Sequence, residues 1–257
     1  MTTDLFDAGA MYDDDYLYFF TASDSAPTHG PLVGTAYADG TEIAGLVWRL
    51  LALEPGMTVL DVGCGHGVLA NALAARGCQV TGLDSSAVFL DRARASSDVD
   101  FVLGDMRELP SSWTARFDRV VNWSTAFGYF DDPVNRAVLA EMARVLRPGG
   151  RLAMDLDNLT SYLPALTPSR VTARRPNGDM LVDVHDLDPL TMRLSVTRTV
   201  LRDGRARTLT FVKRLFAFPE LRDWFETAGL TDVRGHGEDG GPLTAGSHRM
   251  VLAARRA

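Results

Sequence analysis

Lysine is almost absent: Lys213 stands alone among 26 basic residues, the rest being arginine. Cysteine is nearly as scarce, with Cys64 and Cys78 the only two in 257 residues. One sits inside a glycine turn and the other ahead of a strand, which excludes a disulfide framework and agrees with a reducing, cytoplasmic setting. No run of 18 or more apolar residues occurs, so no membrane-spanning helix is expected. The opening Met-Thr-Thr-Asp-Leu-Phe-Asp lacks the basic start of a secretory signal. No Lys or Arg precedes Arg49, whereas Asp4, Asp7, Asp13, Asp14, Asp15, Asp24, Asp39 and Glu42 all do. With a net charge of −7, that acidic front argues against nucleic acid, which needs a basic face to neutralise phosphates. The histidines His29, His66, His185, His236 and His248 show no ligand-like spacing, so no metal site is expected.

What is present is concentrated in residues 58–67, Thr-Val-Leu-Asp-Val-Gly-Cys-Gly-His-Gly. A buried strand (Val59, Leu60, Val62) runs into a glycine-rich turn, and an apolar helix follows from about Val68 to Arg76. Gly63, Gly65 and Gly67 allow positive φ and close approach of the backbone to a ligand. Asp84 ends the next apolar run, Gln79 to Asp84, where an acid meets the two hydroxyls of a nucleotide ribose. Val68 occupies the sixth fingerprint position, where pyrophosphate binders carry glycine or alanine, so pyrophosphate is not favoured.

Strand and helix signals alternate from Thr58 to Asn158, which predicts parallel βαβ units. Ser86–Ser96 reads as a helix, Val99–Asp105 as the third strand and Phe117–Trp123 as the fourth. A helix from about Pro133 to Leu146 is stopped by Arg147-Pro-Gly-Gly150, and Arg151–Asp157 is the fifth strand. Residues 168–217 lack a helical period but alternate around turns, Asp203-Gly204 above all, which predicts an antiparallel insert of three or four strands. That insert carries ten basic residues against five acids, which invites contact with the acidic front within or between subunits, the latter as a homodimer. Pro219–Gly229 then reads as a helix, with Thr231–Gly235 and Arg249–Ala254 a closing strand pair.

The spelling Val-Leu-Asp-Val-Gly-Cys-Gly-His-Gly resembles the first motif of class I S-adenosylmethionine-dependent methyltransferases, and the order of later elements follows that family. The nearest branch is the bacterial small-molecule and sugar N-methyltransferases. The resemblance implies an α/β fold: a Rossmann-like seven-stranded sheet with helices on both faces, its last strand antiparallel. It implies four regions: an N-terminal helical cap or lid (1–50), the cofactor-binding core (51–160), the antiparallel β insert (161–217) and the C-terminal part of the core (218–257). Asp61 is then expected near the methionine part of S-adenosylmethionine, Gly63 and Gly65 under the nucleoside, and Asp84 with Ser85 at the ribose. Asp105 and Met106, after the third strand, are expected at the adenine.

In Asn122-Trp-Ser-Thr-Ala-Phe-Gly-Tyr-Phe-Asp-Asp132, the resemblance puts Asn122 or Trp123 against the cofactor and Tyr129 toward the substrate; Phe127 and Tyr129 read equally as core. Sugar enzymes of this kind can carry His where Tyr129 stands, so a histidine mechanism is not implied. Tyr12 and Tyr16, at i, i+4, share a face whether their helix is a lid over the cofactor or a core-packing helix. An aromatic lid face near a sulfonium gains about 0.5–2 kcal/mol. His185 is either a base under the insert or an ordinary strand residue. Asp155, Asp157 and Asn158 resemble part of a catechol-type metal set, but Asn122 stands where a further Asp is needed.

The expected activity is methyl transfer from S-adenosylmethionine, leaving S-adenosylhomocysteine, to an N, O or C atom of a small molecule. The alternatives are a nicotinamide-dependent Rossmann oxidoreductase and a non-catalytic S-adenosylmethionine-binding protein.

Overall fold

The structure, a computed structural model, describes residues 11–20, 26–27 and 40–257. Asp4, Asp7, Asp24, His29 and Asp39 of the sequence reading lie outside these residues. Asp13 opens helix α1 (Asp14–Phe20), its carboxylate accepting the Asp15 and Tyr16 amides at 3.0 and 3.2 Å. Tyr12 therefore lies in a bend ahead of the helix, a correction to the helical face expected for it with Tyr16. The two rings still meet edge to face at 5.2 Å.

A two-residue strand β1 (Ala26–Pro27) and helix α2 (Gly40–Leu50) precede the alternating core. That core runs β2 (Thr58–Val62), α3 (Val68–Ala74), β3 (Gln79–Asp84), α4 (Ala87–Arg94), β4 (Asp100–Leu103), β5 (Phe117–Asn122), α5 (Asp132–Val145) and β6 (Leu146–Asp157). Ser86 caps α4 by accepting the Phe89 amide, and Asp131 caps α5 by accepting that of Val134. β6 begins at Leu146, five residues earlier than the Pro-Gly-Gly stop predicts. Its pairing with β5 jumps from Phe117–Leu146 to Arg119–Arg151, so the Pro-Gly-Gly segment is accommodated as a bulge.

Helix α6 (Leu159–Ala165), capped by Asn158, occupies the start of the region expected to be all β. The insert follows as β7 (Ser169–Arg174), β8 (Met180–Asp188), β9 (Arg193–Arg202) and β10 (Arg205–Arg214). Asp203 and Gly204 both have positive φ, 51° and 73°, as a two-residue hairpin of this twist needs. Helix α7 (Phe218–Thr227) and strands β11 (Leu230–His236) and β12 (Arg249–Arg256) complete the chain.

The large sheet has the order β11-β12-β6-β5-β2-β3-β4, with β12 antiparallel between β11 and β6. Its core strands are nearly continuous apolar runs, as both faces are covered. One face packs α5 and α7 through Leu139, Met142, Trp224 and Phe225, and the other packs α2, α3 and α4 through Leu46, Leu73 and Leu90. β2 lies between β3 and β5, the switch point outside which open α/β sheets bind ligands.

The second sheet, β1-β7-β8-β9-β10, joins the N-terminal segment to the insert. Asp15 pairs with Arg202 and Arg207 at 2.8 and 2.7 Å, and Asp13 with Arg207 at 2.6 Å. The contact invited by the acidic front and basic insert is thus made within one chain. Phe19, 1% exposed, fixes α1 among Ala173, Leu181 and Val200. No helix among the described residues is long and apolar enough to cross a membrane.

Candidate active site

The glycine turn leaves β2 with Gly63, Gly65 and Gly67 at φ of 74°, 55° and 83°, where L side chains are strained. A Cβ on Gly63 would lie 2.8 Å from the Ala126 Cβ, and one on Gly67 2.7 Å from the Phe101 ring. Asn122, fully buried, donates from Nδ2 to the Val62 carbonyl at 2.8 Å and so braces the strand end under the turn. Trp123 is also buried, in the core beneath α2 and α3. Asp84 accepts the Gly65 amide on Oδ2 and the Ser86 amide on Oδ1, both at 2.8 Å. Burial pushes its carboxyl up against the pull of those amides. Asp61 is buried at the end of β2, and burial, then the nearby Asp84 charge, pushes it up to about 7. Ser85 is exposed beside Asp84. Asp105 is half-buried and gripped by Arg107 at 2.7 Å, while the Met106 methyl would lie 3.5 Å from a Cβ on Gly63.

Above this turn the N-terminal segment closes. The Tyr12 carbonyl accepts the Ser86 hydroxyl at 2.7 Å, and the Tyr12 hydroxyl is 2.9 Å from that of Tyr129. The rings of Tyr12 and Tyr16 stand 5.4 and 5.5 Å from Phe89. Burial raises the Tyr12 phenol well above its ordinary value, with Tyr129 and Tyr16 adding to it, and pushes Tyr16 up to about 12. Tyr129 also moves up through burial, opposed by the Lys213 charge.

Lys213 reaches this aromatic cluster from β10, with its ammonium 2.8 Å from Asp157 Oδ2 and 4.5 Å from the centre of the Tyr162 ring. Burial disfavours its charge, but Asp157, Tyr162 and Tyr129 outweigh burial and move it upward. Asp157 also accepts from Arg249 at 2.6 Å, and Arg249 forks onto both oxygens of Asp155 at 3.0 and 2.8 Å. The carboxylates weighed as metal ligands are thus committed to two cations, and Asn158 donates to the carbonyls of Thr244 and Ser247.

His185 is half-buried on β8, its Nδ1 2.8 Å from the Thr167 carbonyl. On the same face of β8, Asp183 forks with Arg198 at 2.8 and 2.9 Å and accepts the Thr172 hydroxyl. His66 contacts only the Phe89 edge, at 5.8 Å, among described ring pairs. Sequence reasoning missed Lys213, Tyr162, Phe89 and Ser86. Of these only Lys213 carried a signal, as the sole lysine in an arginine-rich chain.

A family model described as "Methyltransferase domain" matches residues 59–150, from β2 into the bulge of β6. The cypemycin N-terminal methyltransferase of a Streptomyces species is 31% identical over 233 residues, which is 83% of this chain and 89% of that protein. The chain belongs to the S-adenosylmethionine-dependent methyltransferases.

Further likenesses surround that one. An uncharacterized 37.1 kDa protein in transposon TN4556 of Streptomyces fradiae is 40% identical over 139 residues, 48% of this chain, and the methyltransferase spans only 38% of that relative. In fold, the CcbJ methyltransferase from Streptomyces caelestis superposes with a TM-score of 0.76 at 24% identity, covering 100% of this chain and 98% of that one. Membership of the family replaces the nicotinamide oxidoreductase reading.

The site itself fits the family cofactor. Asp61 Oδ1 and Asn122 Oδ1 are buried acceptors without a hydrogen-bond partner among the described residues. Asp84 keeps lone pairs beyond the two that its amides use. An amino group and a pair of hydroxyls are the donors such acceptors lack, and the methyltransferase cofactor has both.

Proposed function

We propose that this methyltransferase acts on the amine nitrogen of a small molecule held between Tyr12, Tyr129 and the insert. When bound, S-adenosylmethionine supplies an electrophilic methyl group on a sulfonium. Asp84 and Ser85 serve the ribose, Asp105 and Met106 the adenine, and Asp61 the methionine ammonium. Gly63 and Gly65 let the backbone approach the nucleoside, Asn122 offers its bare Oδ1 to a cofactor donor, and Trp123 supports that floor from behind. Tyr16 lines the same aromatic wall as Tyr12.

One observation carries the choice of nitrogen: the half-buried Tyr12–Tyr129 phenol pair, both held protonated. A protonated phenol is no base at neutral pH, but its oxygen accepts an N–H and so aims the nitrogen lone pair. A hydroxyl acceptor would have to lose its proton as it attacks. Lys213 is kept protonated, Asp157 is held by two cations, and the His185 Nδ1 is engaged with Thr167. A neutral amine needs no such base, since its extra proton departs after the N–C bond has formed. The roof made by the N-terminal segment and insert favours a small acceptor, and the amino-terminal specificity named for the cypemycin relative supports nitrogen.

The test is a methylation assay on matched panels of small amines and alcohols, read by mass. Tyr129→Phe is expected to lower kcat by about 10–100-fold, the value of one or two orienting hydrogen bonds. Binding of S-adenosylhomocysteine should be unaltered. Methylation of alcohols alone, or full kcat in the variant, overturns the reading.

A further inference from the structure

At the opposite end of the large sheet, three arginines stand in register on adjacent strands. Arg119 of β5 is paired with Arg151 of β6, and Arg151 with Arg255 of β12. Registered residues on strands about 4.8 Å apart point to one face, and like charges so placed repel. Arg119 is committed to the backbone, donating to the carbonyls of Leu51, Asp118 and Ala52. Burial, and next the charge of Arg151, push its pKa down. The side chains of Arg151 and Arg255 have no ion pair or hydrogen bond with any described residue.

Both line a cleft of about 340 Å³ between the end of α2 and the β11–β12 edge, together with Arg49, Arg234 and His236. Leu50 and Ala253 give it an apolar floor. Asp232 is the one acid in the lining, so four arginines less one aspartate leave a charge of +3 with histidine neutral. Among the described residues the Arg49 guanidinium reaches only the carbonyls of Gly45 and Asp239, at 3.3 and 3.4 Å, and Arg234 lies 3.9 Å from Asp232 with both side chains exposed. This concentration of positive charge occurs in a chain of net −7. Arg151 precedes Asp157 by six residues of β6, which puts it about 20 Å from the cofactor end of the sheet.

We infer that this cleft is a second ligand site, which takes a compact anion with two or more phosphoryl groups. Guanidinium forks match phosphate oxygens two at a time, and forks on neighbouring strands call for two anionic centres. A single carboxylate would leave most of the charge unbalanced. The volume falls within the roughly 300–1,000 Å³ of small-molecule sites, and a cleft of that size in a chain of net −7 suits a small anion better than a nucleic-acid strand.

The experiment is a thermal melt of the full chain with inorganic pyrophosphate and with adenosine diphosphate, at ionic strength fixed by sodium chloride. Wild type is expected to show a saturable rise, about 5–10 °C at hundredfold excess over the dissociation constant. Arg151→Gln and Arg255→Gln should each lose that rise. Without ligand they should melt about 1–3 °C higher, because the cross-strand repulsion is relieved. The rise given by S-adenosylhomocysteine should persist in both, which separates this site from the methyl-transfer reading. Tighter binding of the nucleotide or of pyrophosphate identifies the source of the phosphoryl groups, and either supports the site. A rise that does not saturate, that chloride reproduces, or that survives in both variants overturns it. So does a lower ligand-free melt in both.

Discussion

Asp61 and Asp84 end adjacent parallel strands with opposite degrees of satisfaction. Asp84 holds two backbone amides, whereas Asp61 keeps a bare, buried oxygen and a carboxyl pushed up to about 7. An acid that holds its proton more tightly in the fold than in the open chain makes the fold less stable as pH rises from its ordinary range near 4 towards 7. A cationic ligand beside Asp61 reverses that pressure, since it favours the ionised form. Binding of S-adenosylhomocysteine is therefore expected to release protons below pH 7 and to tighten between pH 5 and 7, by at most about tenfold per unit. Calorimetry at pH 6 in buffers of different ionisation heat measures this, with Asp61→Asn as the proton-neutral control. Heats that do not change with buffer would remove Asp61 from the cofactor's charged end.

Among the elements, α1 has the clearest division of labour. Phe19 anchors it on the insert, Asp15 and Asp13 just ahead of it clamp it to Arg202 and Arg207, and Tyr16 is left to meet Tyr12 of the preceding bend and Phe89. Phe19→Ala removes a buried ring, a change that costs about 3–5 kcal/mol where it opens a cavity. The expected outcome is faster hydrogen exchange over residues 11–20 with the large sheet still protected. Equal protection in variant and wild type would mean that the segment is held by something else.

How much was legible in advance divides along the same line. The glycine turn, Asp84 and the alternating strands could be read because each follows from local φ, period or run length. Tyr12 could not be placed, since three successive aspartates can each cap a helix and only the folded contact selects Asp13. Helix α6 was hidden by its seven residues and by the internal Pro164, and the early start of β6 by a Pro-Gly-Gly that normally ends structure. The Lys213–Asp157 pair spans 56 residues and joins two domains of the reading, so no local pattern announces it.

For the molecule as a whole, part of the charge asymmetry of the chain is resolved inside it. Two acids of the front, Asp13 and Asp15, spend their charge on β9 and β10 of the same chain, and Arg249 and Lys213 balance Asp155 and Asp157. Sedimentation velocity at low and high salt is accordingly expected to show one species of unchanged size. A dimer that dissociates in salt would mean that front and insert also pair across subunits.

Lys213 has one more consequence. A chain with a single ε-amine offers an acylating reagent one lysine target, here 12% exposed and held between Asp157 and Tyr162. The rate at which that amine is acylated becomes a clock for the opening of the contacts around it, built in without any introduced label.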